Sequence, residues 1–217
     1  MWRDDKERAF SLTKAVFLDR DGVINQRPPE GLYVTRWADF HILPGVADAI
    51  ALLNQASFSV AVVTNQRCVA KGLITEAELD DMHQRMIDSL AAAGATVDAV
   101  YYCPHEFEPP CECRKPAPGM LLTAARSHAI NLGTSWMIGD SDIDIQAGRN
   151  AGCKTARLPG ANSSVDSDGR PVAQCPADIV APSLLEAVRE ILAREAVDAH
   201  PSMASAARTF SRISDKH

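Results

Sequence analysis

The 217-residue chain has no apolar run of about eighteen residues, the length needed to cross a bilayer, so no membrane-spanning helix is expected. It has no basic surplus either: the net charge is −6, which disfavours a broad nucleic-acid surface, because phosphate backbones reward clustered Lys and Arg. An anionic ligand must then be held locally, by a few residues or by a metal. The opening stretch "MWRDDKERAF" mixes both charge signs and lacks an apolar run ending at a cleavage site. No secretory signal is expected, so a cytoplasmic protein with reduced thiols follows. No internal repeat or low-complexity tract stands out.

The residues present alternate short apolar runs with helix-period segments. "KAVFLD" (14 to 19), "FSVAVVT" (58 to 64), "VDAVYY" (97 to 102), "TSWMIG" (134 to 139) and "KTARL" (154 to 158) read as buried strands. Between them, "GVADAIALLNQA" places Val46, Ala49, Ile50 and Leu53 on one helical face. Thr75 with Glu78 forms a capping box ahead of Leu79, Met82, Met86 and Leu90, with Gly94 as the stop. Helices are also expected from about Pro118 to Ile130, over "DIQAGRNA", and after the Ser183/Glu186 box. Strands alternating with helices predict an α/β fold with a doubly wound parallel sheet. The reading gives one domain through about residue 195, a polar loop over 160 to 174, and a loosely docked or flexible tail over 196 to 217. His41, His83 and His128 are expected at the surface or its boundary.

Open parallel sheets carry their chemistry beyond the carboxyl ends of the strands. The first strand ends in "DRDG", where Asp19 and Asp21 stand two apart and Gly22 permits a sharp exit. Two such carboxylates can divide labour, one attacking and one handling a proton; an isolated D-x-D-G is also an ordinary Asp-stabilised turn. The second strand ends in Thr64-Asn65-Gln66, whose hydroxyl and amides could hold a phosphoryl oxygen. The fourth ends in "GDSDID", with Asp140, Asp142 and Asp144 in one acidic loop. Its spacing resembles a calcium loop, but Ile145 stands where the required Gly belongs, which excludes that reading. Magnesium, which is content with one or two carboxylates and phosphate oxygens, fits better, and Lys115 would add positive charge.

Four segments in order, "VFLDRDGVIN", "VVTNQ", "CRKPAPGM" and "MIGDSDIDIQAG", resemble the four motifs of the haloacid dehalogenase (HAD) superfamily of phosphatases. The resemblance runs from about residue 14 to 158. It implies a HAD-like sheet and an aspartyl-phosphate mechanism on a small phosphorylated metabolite. Asp19 would be the nucleophile and Asp21 the acid and base, with Thr64 and Lys115 holding the phosphoryl group. Asp19, the main-chain carbonyl of Asp21 and Asp140 would bind Mg²⁺, while Asp144 would orient its loop. No insertion is long enough for a large cap domain, so an open site is expected, closed over in part by the 25 to 34 loop, the 66 to 73 segment and the Cys/His loop; a monomer is expected as well.

"CPHEFEPPCECRKP" gathers Cys103, His105, Cys111 and Cys113 in the pattern C-x-H-x₅-C-x-C. Each pair directs two side chains to one side of an extended segment, and Pro104, Pro109 and Pro110 restrict the loop. Four soft or borderline ligands with no vacancy describe a structural zinc site; a disulfide is disfavoured by compartment and by the short span. Such a clamp would present Arg114 and Lys115 to the phosphate. The cluster resembles the HAD branch that holds heptose-bisphosphate phosphatases and histidinol-phosphate phosphatases, with "KPAPGM" favouring the former and Arg114 taking a part in substrate recognition. A catalytically idle phospho-ligand binder on the same scaffold is the rival from another class. Two departures bear on the substrate: Arg67-Cys68 and Lys71 replace the branch's usual Ser-Gly and Arg, and the 25 to 34 loop is longer. Asn65, Gln66, Arg67, Lys71 and Arg114 are the expected substrate contacts.

Overall fold

The computed structural model describes residues 12–160 and 175–199. Six strands, β1 (Ala15–Leu18), β2 (Ser59–Asn65), β3 (Ala99–Cys103), β4 (Trp136–Gly139), β5 (Lys154–Arg157) and β6 (Ile179–Val180), form one sheet in the order β3-β2-β1-β4-β5-β6. Every pairing is parallel. Five helices connect or flank them: α1 (Val46–Gln55), α2 (Glu76–Ala92), α3 (Gly119–His128), α4 (Asp142–Ala151) and α5 (Leu184–Ala199).

The period-two alternation of the strands decides which helix goes where. Val16 and Leu18 of β1, Val60 and Val62 of β2, and Trp136 and Ile138 of β4 face one side, where α1, α2 and α5 bury Ile50, Leu53, Leu79, Met86, Val188 and Ile191. Ala15, Phe17, Ala61, Val63 and Met137 face the other, against Met120, Leu121, Ala124 and Ala147 of α3 and α4. Strands covered on both faces read as continuous apolar runs, which is why they were visible in the sequence.

Helix ends follow local chemistry. Thr75 and Glu78 complete a capping box at the start of α2, and Ser183 Oγ accepts from the Glu186 amide at the start of α5. A second box, Ser141 with Asp144, starts α4 at Asp142, two residues earlier than its apolar pattern implied. Strand β6 went unread because two residues carry no period. α5 runs past the Ala196 boundary; the remainder of the expected tail and the 161 to 174 part of the polar loop lie outside the described residues. Between β1 and α1 the only helical element is the one-turn 3₁₀ segment Trp37–Asp39, so no separate cap domain is inserted there.

Chain order reverses between β1 and β4: from β1 the chain builds outward through β2 and β3, then returns to β4 on the other side of β1. The crevice beyond their carboxyl ends is the expected ligand position of a doubly wound sheet.

Candidate active site and sulfur cluster

Asp19 follows β1 and Asp140 follows β4, so the sheet's reversal brings together two acids far apart in sequence. One oxygen each of Asp19, Asp140 and Asp144 lies within 4.8 Å of the others, and all three residues are buried. Glycines make the approach possible. Gly22 has φ +93, and a Cβ there would sit 1.9 Å from Asp140 Oδ2; one on Gly139 would sit 2.1 Å from Asp144 Cβ.

Lys115, 3% exposed, donates to Asp19 Oδ1 at 2.9 Å, Asp144 Oδ1 at 2.5 Å and the Val63 carbonyl at 2.9 Å. Burial opposes its charge, but Asp144 and Asp19 outweigh burial and raise its pKa. Two cations therefore face three acids, Lys115 on Asp19 and Asp144, and Arg27 on Asp140. Positive charge is still short: burial and the charges of Asp144 and Asp140, offset in part by Lys115, push Asp19 up to about 7. A divalent cation among these oxygens would relieve that crowding, and oxygen donors of this kind suit a hard ion such as Mg²⁺.

Asp21 points to a different set of partners. Its carboxylate accepts from Arg20 Nη2 at 3.0 Å, Asn25 Nδ2 at 2.9 Å and Gln66 Nε2 at 2.9 Å. Burial pushes its pKa up, yet Arg20 and these hydrogen bonds prevail and hold it below the ordinary carboxylate value. Arg20 is fully buried and its Nη1 lies 3.2 Å from His83 Nε2. The surface placement expected for His83 is thus corrected: it is 4% exposed, and burial together with Arg20's charge lowers its pKa to about 3. A neutral imidazole there is an acceptor for Arg20. His41 and His128 are exposed, as expected.

The strand-end polar residues divide their work. Gln66 Nε2 also donates to Thr64 Oγ1 at 2.9 Å, which leaves the threonine hydroxyl proton to point elsewhere. Asn65 spends both ends of its amide on Lys115, donating to its carbonyl at 3.1 Å and accepting from its amide at 3.0 Å. Asn65, expected among the substrate contacts, thus clamps the lysine main chain with both ends of its amide. Arg67 pairs with Glu106 at 2.5 Å, and the Arg67 and Arg114 guanidinium groups lie 4.4 and 4.2 Å from the Phe107 ring centre. Lys71 is exposed over Tyr33 at 5.0 Å. Whereas Lys71 is exposed, Arg67 and Arg114 are part-buried. Asp142 turns away to Arg157 and the Cys175 amide.

Sequence reasoning missed Arg27. It lies in the 25 to 34 loop, and its fork takes both oxygens of Asp140, with Nε to Oδ2 at 2.7 Å. An Arg between a polar residue and two prolines carries no signal of its own.

The sulfur cluster closes as spaced. His105 Nδ1 lies 3.2 Å from Cys113 Sγ and 3.6 Å from Cys103 Sγ, and Cys111 Sγ lies 3.4 Å from Cys113 Sγ and 3.6 Å from Cys103 Sγ. A tetrahedron with zinc–sulfur bonds of about 2.3 Å has sulfur–sulfur edges of roughly 3.8 Å, so the four donors are spaced for one ion. All six cysteines are free thiols. Burial resists ionisation of Cys111, but hydrogen bonds from Cys113 and Cys103 overcome it and bring its pKa to about 7; burial pushes Cys103 and Cys113 upward. A cation entering here would displace protons.

With this geometry in place, similarity to known proteins is informative. A HAD-hydrolase-like family model matches residues 112–187. D-glycero-beta-D-manno-heptose-1,7-bisphosphate 7-phosphatase of Yersinia pestis is 37% identical over 187 residues, covering 83% of this chain and 96% of that protein. The Bordetella bronchiseptica enzyme of the same name is 42% identical over 140 residues, covering 64% of this chain and 77% of that protein. The crystal structure of D,D-heptose 1,7-bisphosphate phosphatase from B. bronchiseptica, complexed with magnesium and phosphate, superposes with a TM-score of 0.73 at 34% identity, covering 84% of this chain and 99% of that one. On its strand-end acids, its lysine and these relatives, the chain belongs to the HAD-like phosphatases, in the family of the heptose-bisphosphate phosphatases.

Proposed function

We propose that the chain is a Mg²⁺-dependent phosphomonoesterase that removes the 7-phosphate of D-glycero-D-manno-heptose 1,7-bisphosphate, with Asp19 as nucleophile. The observation that carries the reading is the convergence of Asp19, Asp140 and Lys115 at the β1/β4 crevice. Relatives named for that reaction, and a neighbouring structure complexed with magnesium and phosphate, support the substrate and the ion.

Phosphoryl transfer is mostly positioning and charge neutralisation. Asp19 and Asp140 by side chain, and Asp21 by its main-chain carbonyl, would hold the Mg²⁺. When bound, the ion supplies the positive charge that lets an anionic phosphoryl group approach a carboxylate. Asp19 forms a bond from its carboxylate oxygen to phosphorus as the bond from phosphorus to the sugar oxygen breaks. Lys115, steadied by Asp144 and by the Asn65 clamp, and Thr64, aimed by Gln66, hold the transferring oxygens. Asp21 gives the leaving oxygen its proton; it then takes one from the water that attacks phosphorus, releasing phosphate and restoring Asp19. The Arg20, Asn25 and Gln66 contacts keep Asp21 ionised, which suits the second step. Donating a proton in the first requires the carboxyl to give up part of that set.

Cys103, His105, Cys111 and Cys113 would hold a structural Zn²⁺ that fixes the loop leading to Arg114 and Lys115. Arg67, Lys71 and Arg114, with Gln66 beneath them, would border the sugar and its distal phosphate. The protein is read as cytoplasmic and monomeric; among the described residues no helix is long and apolar enough to cross a membrane. Phosphate release from heptose 1,7-bisphosphate, histidinol phosphate and an aryl phosphate tests the assignment. The heptose bisphosphate should have the highest kcat/KM. A preference for histidinol phosphate would overturn the substrate, and absence of turnover on all three would overturn the reaction.

A further inference from the structure

Asp140 is 1% exposed, and both of its oxygens are taken by the Arg27 fork, whose own side chain is 31% exposed. A cation ligated by Asp140 needs at least one of those oxygens. We infer that Arg27 is a built-in counter-cation: it holds Asp140 when the divalent ion is absent, and it must be displaced for that ion to bind. The inference rests on the reading that Asp140 ligates the divalent ion.

The charge arithmetic favours exchange over coexistence. With all three carboxylates ionised, as a bound divalent ion requires, Asp19, Asp140 and Asp144 bring three negative charges against Lys115 and Arg27, one short of neutrality. Replacing Arg27 by a divalent ion, with Lys115 in place, brings the cluster to zero; keeping both overshoots it. Buried charge clusters favour the balanced state.

The loop is built to let the side chain go. Its base is fixed, because the Gln26 amide donates to the His41 carbonyl at 2.8 Å and Asn25 bridges to Ile42. Beyond Arg27, Pro28 and Pro29 have no amide hydrogens, and the tip closes on itself through the Leu32 amide and the Pro29 carbonyl at 3.0 Å. Withdrawal of the guanidinium needs only rotation of its long stem toward solvent. The main chain can stay where it is.

The consequence is a weaker grip on the metal than the three acids alone would give, and a folded, charge-paired site in its absence. The test is Mn²⁺ titration of the rim site, read by electron paramagnetic resonance of the unbound ion, on wild type, R27Q, R27K and D140N, with melting temperatures taken with and without Mn²⁺. R27Q should bind Mn²⁺ about tenfold tighter, the size expected when a charge-assisted pair no longer has to be broken. It should also melt lower than wild type without the ion and gain more on its addition. R27K, which keeps the charge but not the fork, should fall between them. Affinity in R27Q equal to or weaker than wild type overturns the inference; should R27Q fail to fold, R27K is judged on the same criterion. D140N tests the underlying reading separately: loss of rim binding supports it, and retained binding sinks it whatever Arg27 does.

Discussion

Among the described residues two clusters of ligand-type side chains form, and they are built in opposite ways. The sulfur cluster draws all four donors from residues 103 to 113 of one loop, partly exposed, at the end of an outer strand. The acidic cluster draws Asp19 and Asp140 from the ends of two adjacent central strands and Asp144 from the first turn of α4, all buried, with Lys115 bracing Asp19 against Asp144. A local clamp needs only a short segment and an ion to close it. A catalytic centre must hold groups rigid against their own repulsion, and the sheet does that before any ion arrives.

That contrast can be broken at either end. Asp19→Asn should reduce turnover by about a thousandfold or more, because the attacking oxygen is gone, while the fold is kept or strengthened as crowding is relieved. Phosphate release with thermal melting checks both. Lys115→Met should remove most turnover and also destabilise the protein by about 3 to 5 kcal/mol, since it leaves Asp19 and Asp144 buried without their partner. Urea unfolding in the metal-free state measures the loss, and a stable variant would show that Lys115 is not a brace.

The local cluster should respond differently. Cys111→Ser, or a strong zinc chelator, should leave the sheet folded but expose the 103 to 116 segment to proteolysis and lower turnover roughly 10- to 100-fold, the usual scale for a supporting shell. Metal uptake by the thiol cluster should release protons and weaken as pH falls. Asn65→Ala tests the joint between the two regions. Losing two hydrogen bonds to the Lys115 main chain should cost about 1 to 3 kcal/mol and lower kcat more than it raises KM.

The effect confined to acid pH, and absent at neutrality, concerns His83, which braces Arg20 behind Asp21. Its folded pKa of about 3 lies below its ordinary 6.5, so between these values the unfolded chain binds a proton that the folded chain does not. The contribution is present above pH 6.5 and is lost as pH falls toward 3, about 1.4 kcal/mol per pH unit. His83→Gln should flatten the stability–pH curve by that slope; an unchanged curve would mean that the ring is protonated in place.

The same contrast governs what could be read from the sequence. The sulfur cluster was legible because all its donors and their spacing lie in one line of residues. Asp19 and Asp140 were legible through position, since each follows a buried apolar run, and the parallel sheet then brings those ends together. Partnerships across the fold were not: Asn65 gripping Lys115, Arg27 holding Asp140 and His83 braced on Arg20 depend on side-chain directions that no periodicity encodes. Asp142 shows the limit well, being two residues from Asp140 yet turned to Arg157 and the Cys175 amide.

Rapid acid quench during turnover, followed by peptide mapping, tests the centre of the account most directly. A hydroxylamine-labile phosphoryl group should be found on the peptide containing Asp19, and it should be absent from Asp19→Asn. Label on another residue, or undiminished turnover in that variant, would contradict it.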